Sequence, residues 1–148
     1  TFHRIWELDK IKRIYDNIVI LKNEEQKEEL GFKDYRVCEE YIDIISNLQV
    51  ISIESNHDVK MLKESSRPWP LIQGILSNNG HLSNEQCTNY IKQFNFENVK
   101  TIILSHLSEE CNTEEKAFNQ ISEAFNGNIP CKIKIAKQHE PLDIIEVE

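Results

Sequence analysis

The sequence predicts an α/β domain, and three observations predict it. From Gln49 onward, runs rich in β-branched and aliphatic residues alternate with runs whose apolar residues recur at helical spacing, in the order strand, helix, helix, strand, helix, strand, strand. The later helical runs open on the capping residues Ser83 and Thr113, and the last of them stops at Gly127. The chain has 148 residues, 39% hydrophobic and 28% charged, enough for one core and ordinary for a globular domain.

The elements follow in order. Ile5, Leu8, Ile11 and Tyr15 place one face of a helix over residues 1–15, and Asn17 to Leu21 reads as a short buried strand. Asn23 caps a helix with acidic residues in its first turn and Gly31 just past its end. Val37, Tyr41, Ile44, Ile45 and Leu48 predict a helix over 36–48. The run QVISIE predicts a strand over 49–54 that enters the polar loop Ser55 to Asp58. A proline-rich turn, Arg67 to Pro70, leads into a short apolar helix ending near Leu76, and Asn78-Asn79-Gly80 breaks it. A helix over 83–94 buries Cys87, Tyr90, Ile91 and Phe94. Strands are predicted at 100–105, 131–136 and 144–147, and a helix over 114–125 buries Ala117, Phe118, Ile121 and Phe125. Phe118 and Ile103 are expected in the core. The whole chain, 1–148, is expected to be one domain, with 1–49 an unassigned segment.

The net charge of −8 and the pI of about 5.2 argue against a general nucleic-acid coat, because phosphate contacts need clustered Lys and Arg. They leave room for a nuclease whose positive charge is a metal ion. For the same reason a DNA-binding regulatory domain carried by the first 49 residues is the least favoured reading. No apolar run approaches the ~20 residues of a membrane helix. Thr1 to Asn17 is too charged for a signal peptide, and Cys38, Cys87, Cys111 and Cys131 form no CxxC pair, so reduced thiols and a cytoplasmic location are expected. The chain opens on Thr1 rather than Met, so further residues are expected upstream.

Three polar clusters carry the chemistry: Glu54-Ser55-Asn56-His57-Asp58, Gly80-His81-Leu82-Ser83-Asn84 and Ser105-His106-Leu107-Ser108-Glu109-Glu110. The first and third follow strands directly, and the second opens a helix. In open α/β sheets ligands bind outside the carboxyl ends of strands. Imidazoles supply metal ligands or near-neutral acid-base groups, and a helix start near Ser83 suits an anion such as phosphate. Each has a plainer reading. A histidine after a strand is commonly a hydrogen-bonded surface residue, and Ser83 is a good helix cap in its own right.

The runs ESNHDVKML, GHLSNEQC and LSHLSEECNT, in this order, with the tail KIKIAKQHEPLDIIEV, resemble the YycJ-type, nuclease-like branch of the metallo-β-lactamase superfamily. The resemblance implies the C-terminal half of an αββα sandwich over about 50–148. It implies a phosphodiesterase or nuclease in which metal ions, zinc or manganese, activate water and clamp phosphate. His106 would be the last metal-ligand histidine, and Asp34 lies where the bridging aspartate is expected. His81 would face the scissile phosphate and Glu54 would orient it. Asn56 and Asp58 would shape the loop beside the site and, with Ser83, bind substrate.

The chain departs from that pattern at named places. Its five histidines include no HxH pair and hence no HxHxDH motif, Arg36 stands where Gly is expected, and Cys111 stands where Asn is expected. This chain alone is therefore expected to bind no metal pair and to hydrolyse phosphodiesters poorly or not at all. Completion by an N-terminal half, or self-association, is expected of an enzyme. The alternative is a non-catalytic binding or assembly module derived from the same fold. The expected partner is a nucleic-acid or nucleotide phosphodiester, with no membrane.

Overall fold

The computed structural model describes residues 47–77 and 80–145. Its elements are strand β1 (Val50–Glu54), helices α1 (Val59–Glu64), α2 (Trp69–Leu76) and α3 (Asn84–Ile91), strand β2 (Thr101–Ser105), helix α4 (Glu114–Ala124) and strand β3 (Lys132–Ile135). The strands form a three-stranded sheet in the order β1-β2-β3, with both pairs parallel. Parallel neighbours need crossovers, which α1 to α3 supply between β1 and β2 and α4 supplies between β2 and β3. The architecture is α/β, as the alternation of elements predicts.

Strand alternation places the core. Ile51 pairs with Ile102 and Ile53 with Leu104, and Ile102 and Leu104 pair in turn with Ile133 and Ile135, so one face of the sheet is aliphatic. Cys87 and Ile91 of α3 and Ala117 and Ile121 of α4 complete that core, with Phe94 and Val99. Each fully buried aliphatic side chain contributes about 1.5–3 kcal/mol. The opposite face carries Val50, Ser52, Ile103 and Ser105, all partly exposed. A smaller cluster of Leu62, Ile72, Ile75 and Cys111 joins α1 and α2 to the loop after β2.

Several expectations change. Phe118 is 39% exposed rather than core, because α4 turns Ala117 and Ile121 inward and Phe118 lies about 100° around the helix from Ala117. Ile103 is only partly buried and belongs to neither core cluster, since strand alternation puts it on the second face. Helix α1 was not foreseen. At six residues it is too short to display a period, and it forms where Asp58 accepts a hydrogen bond from the Met61 N–H. Helix α3 stops at Ile91, yet Phe94 stays buried because its N–H turns back to the Ile91 carbonyl at 3.1 Å. Ile144 and Ile145 are not in a strand, and Ile144 is 91% exposed. Asn47 and Leu48, the end of the helix expected over 36–48, are not helical. The remainder of that helix, the elements expected before it, Asp34, Cys38 and residues 146–147 lie outside the described residues. After α4 the chain reverses through Asn126 (φ 51°) and Gly127 (φ 77°), and the Gly127 N–H closes the helix on the Ser122 carbonyl at 2.8 Å. Among the described residues, no helix is long and apolar enough to cross a membrane.

Candidate active site

Parallel pairing brings the carboxyl ends of β1 and β2 to one edge of the sheet. Glu54 stands in register with Ser105, so His106 leaves β2 at the level where Glu54 ends β1. The second cluster is laced to the first by backbone bonds, Asn56 N–H to the Leu82 carbonyl at 2.8 Å and Asn84 N–H to the His57 carbonyl at 2.9 Å, with an isolated parallel bridge between His57 and Ser83. Gly80 allows a close approach to the end of α2, since a Cβ there would stand 2.0 Å from the Ile75 carbonyl oxygen. His81 follows it, its N–H bonded to that same carbonyl.

Glu54 is the centre of the arrangement. Its side chain is 3% exposed, while those of His81 and His106 are 44% and 54% exposed. Its Oε1 bonds to Nδ1 of His81 at 2.9 Å and Nδ1 of His106 at 2.5 Å, and Oε2 accepts the Leu82 N–H at 3.2 Å. The two imidazole rings are 5.1 Å apart. With Glu54 ionised its oxygens only accept, and both rings then present Nδ1–H to it and keep Nε2. The sequence reading assigned Glu54 to His81 alone; the structure gives it to both rings. His106 sits in the left-handed region at φ 59°, uncommon for a residue other than glycine and typical of functional sites.

Glu54, His81 and His106 can each offer a ligand atom such that the three atoms lie within 4.8 Å of one another. Two imidazole nitrogens and one carboxylate oxygen form a donor set that suits zinc, and also manganese.

The other residues expected at the site are engaged around it. Ser83 is buried, its hydroxyl accepts the Gln86 N–H at 3.2 Å, and Gln86 returns the bond to the Ser83 N–H, which makes a capping box for α3. Asn56 is buried and its Nδ2 donates to the His106 carbonyl at 2.8 Å. Asp58 caps α1 and meets Lys116 at 3.4 Å. Desolvation raises the Asp58 carboxyl, but the Met61 N–H, the Lys116 ammonium and the Lys60 N–H outweigh it and hold the group below its ordinary value. Asp34 lies outside the described residues.

Sequence reasoning missed a buried amide network beneath the site. Asn84 and Asn112 exchange reciprocal side-chain bonds at 2.8 and 2.9 Å, Asn112 also donates to the Ser55 carbonyl, and the Ser55 hydroxyl donates to Asn84 Oδ1 at 2.7 Å. Both asparagines stand inside the motif runs, but nothing in the sequence pairs residues 28 apart. His57 was also left without a role. It is fully buried, its Nδ1 lies 3.4 Å from Asn56 Oδ1, and its Nε2 has no hydrogen-bond partner among the described residues. Burial, and then the charge of His81, push its imidazole below the ordinary value against the pull of Glu54 and Asp58. Next along the chain, a cleft of about 320 Å³ starts at Leu107 and Ser108 and is bounded by Thr113, Ile135 and His139.

Comparison with known proteins adds an independent line. The chain is 41% identical over 88 residues to exodeoxyribonuclease WalJ of Streptococcus pneumoniae, a match that covers 57% of this chain and 33% of the relative. It is 35% identical over 82 residues to exodeoxyribonuclease YycJ of Bacillus anthracis, covering 55% of this chain and 31% of that protein. The chain thus spans about a third of the length of the curated relatives it matches. No family profile and no solved structure matches it. Over more than half its length, this chain is similar to the YycJ-type exodeoxyribonucleases that its three histidine-bearing runs resemble.

Proposed function

We propose that this chain carries the C-terminal half of a metal-dependent nuclease site of the metallo-β-lactamase type, acting on DNA or a related phosphodiester. The observation that carries the reading is the buried Glu54 carboxylate gripping two half-exposed imidazoles at the carboxyl edge of a parallel sheet. In this reading His106 is a metal ligand and His81 faces the phosphate as proton donor or phosphate binder. Glu54 orients both rings, fixing tautomers that keep the two Nε2 atoms for ion and substrate. The buried carboxylate also supplies the negative charge that a cation needs. A bound ion would polarise phosphate oxygen and lower the pKa of water. The sheet is read as half of an αββα sandwich, its second face, with Val50, Ser52 and Ile103, being the one a further sheet would cover. Ser83, Asn56 and Asp58 support the substrate side through the loop and helix start that they hold.

Two-metal catalysis needs ions about 3.5–4 Å apart, each with several ligands. Even if His81 and Glu54 left those roles to ligate beside His106, the three would supply donors for a single ion, and the five histidines contain no HxH pair. The chain by itself should therefore bind one ion and hydrolyse phosphodiesters weakly, with full turnover requiring histidine ligands from a completing half or a second chain. The alternative is a non-catalytic binding module built on the same fold. Metal content after zinc or manganese loading, and hydrolysis of end-labelled DNA, are measured for the chain and for His106→Ala. One ion per chain, lost in the variant, supports the metal reading. No bound ion overturns it in favour of the binding module. Robust turnover lost in His106→Ala overturns the expectation of weak activity.

A further inference from the structure

Three hydrogen bonds make Asn56 the junction of all three histidine-bearing segments. Its N–H donates to the Leu82 carbonyl at 2.8 Å, beside His81, and its carbonyl accepts the Ser108 N–H at 2.7 Å. Its side-chain Nδ2 donates to the His106 carbonyl at 2.8 Å. His106 is in the left-handed conformation, two residues before that Ser108 contact. A side-chain amide can present either end, and the His106 carbonyl, which only accepts, takes the nitrogen. On the other side the buried His57 Nδ1 lies 3.4 Å from Asn56 Oδ1, within reach of a bond in the Nδ1–H tautomer. The His57 backbone is itself pinned between the Asn84 N–H and the bridge to Ser83.

We infer that Asn56 is a positioning residue for His106. Its amide, donating to the His106 carbonyl, clamps the His106 peptide in its left-handed conformation, so that the imidazole meets Glu54 through Nδ1 and keeps Nε2 for a ligand. The role rests on the metal-site reading for its purpose, but its geometry is testable without metal or nuclease activity. Truncating the clamp frees the His106 peptide to leave the left-handed region, which a residue with a Cβ adopts at a cost. The ring then samples other contacts.

The test is long-range nitrogen-proton NMR of the imidazoles in the 148-residue chain at one fixed pH, followed by zinc titration. The variants are Asn56→Ala and Asn56→Asp, the latter keeping shape but replacing the donor with an acceptor. Ile121→Val, a core change away from the site, is the control for general loosening. In the unmodified chain and in the control, both His81 and His106 should give the Nδ1–H pattern. In both Asn56 variants the His106 pattern should average between tautomers while that of His81 persists, and zinc affinity should fall about 10–100-fold. An unchanged His106 pattern in a folded Asn56 variant, or equal averaging of both rings, overturns the inference. If neither variant folds, the unmodified chain decides: two resolved, slowly exchanging Asn56 amide protons support the clamp, and a freely exchanging amide overturns it. Failure of the unmodified chain to bind zinc refutes the metal reading, while the tautomer patterns still judge the role of Asn56.

Discussion

Replacing Asn112 with alanine should destabilise the domain by about 2–6 kcal/mol, from two buried groups left unpaired at about 1–3 kcal/mol each. The groups follow from the contacts. Asn112 Nδ2 donates to the Ser55 carbonyl at 2.8 Å, and its Oδ1 accepts from Asn84 Nδ2 at 2.8 Å, both in buried surroundings. Asn84 Oδ1 keeps the Ser55 hydroxyl at 2.7 Å, so that acceptor adds little. The Thr113 N–H also loses Asn112 Oδ1, but Thr113 is exposed and water replaces the bond. Against a whole-domain stability of about 5–15 kcal/mol, this is a large fraction. Urea unfolding followed by far-ultraviolet circular dichroism measures it, alongside Asn84→Ala and the double variant. Each single change strands the other residue's amide, so the double change should cost less than the sum by about 0.5–3 kcal/mol. A loss below about 1 kcal/mol with unchanged denaturant slope, or strict additivity, would refute the argument that the reciprocal amide pair is a buried, mutually dependent unit.

The remaining predictions concern packing, the histidine turn and pH. Leu104→Ala should cost about 2–5 kcal/mol because its side chain is fully buried between strands and helices, whereas Phe118→Ala should cost far less; thermal unfolding of both variants checks the contrast. Gly80→Ala should destabilise by about 1–3 kcal/mol and displace His81, because the new methyl meets the Ile75 and Gly74 carbonyls; denaturant titration reads the first effect and the His81 ring signals the second. Asp58 is held below its usual value of 3.8, so its charged cap stabilises the fold above that pH, and the benefit disappears as pH falls through the lower folded-state value. The stability gap between the unmodified chain and Asp58→Asn should therefore be full at neutral pH and close on acidification below 3.8. A gap that widens instead would contradict the sign.

What the sequence determined by itself is what depends on near neighbours along the chain. The aliphatic runs at 50–54, 101–105 and 132–135 form strands because alternation and β-branching act within a few residues, and Ser83 and Thr113 announce their helices because a cap bonds a backbone N–H three positions away. The three polar clusters were legible for the same reason, each standing beside such an element. Tertiary structure alone decided how they meet. The bonds from Glu54 to His81 and His106 span 27 and 52 residues, and they exist because parallel pairing puts the ends of β1 and β2 level at one edge. The rotation of α4 could not be read either. Ala117 and Phe118 both fit an apolar stripe with Ile121, and only the packing of α4 beside α3 in the core selects the small residue for the inside. Local bonding energies write themselves into short sequence patterns. The pairing of Asn84 with Asn112, the choice of both imidazoles by one carboxylate and the burial of His57 are settled by the packing of distant segments, which leaves no period or spacing to read.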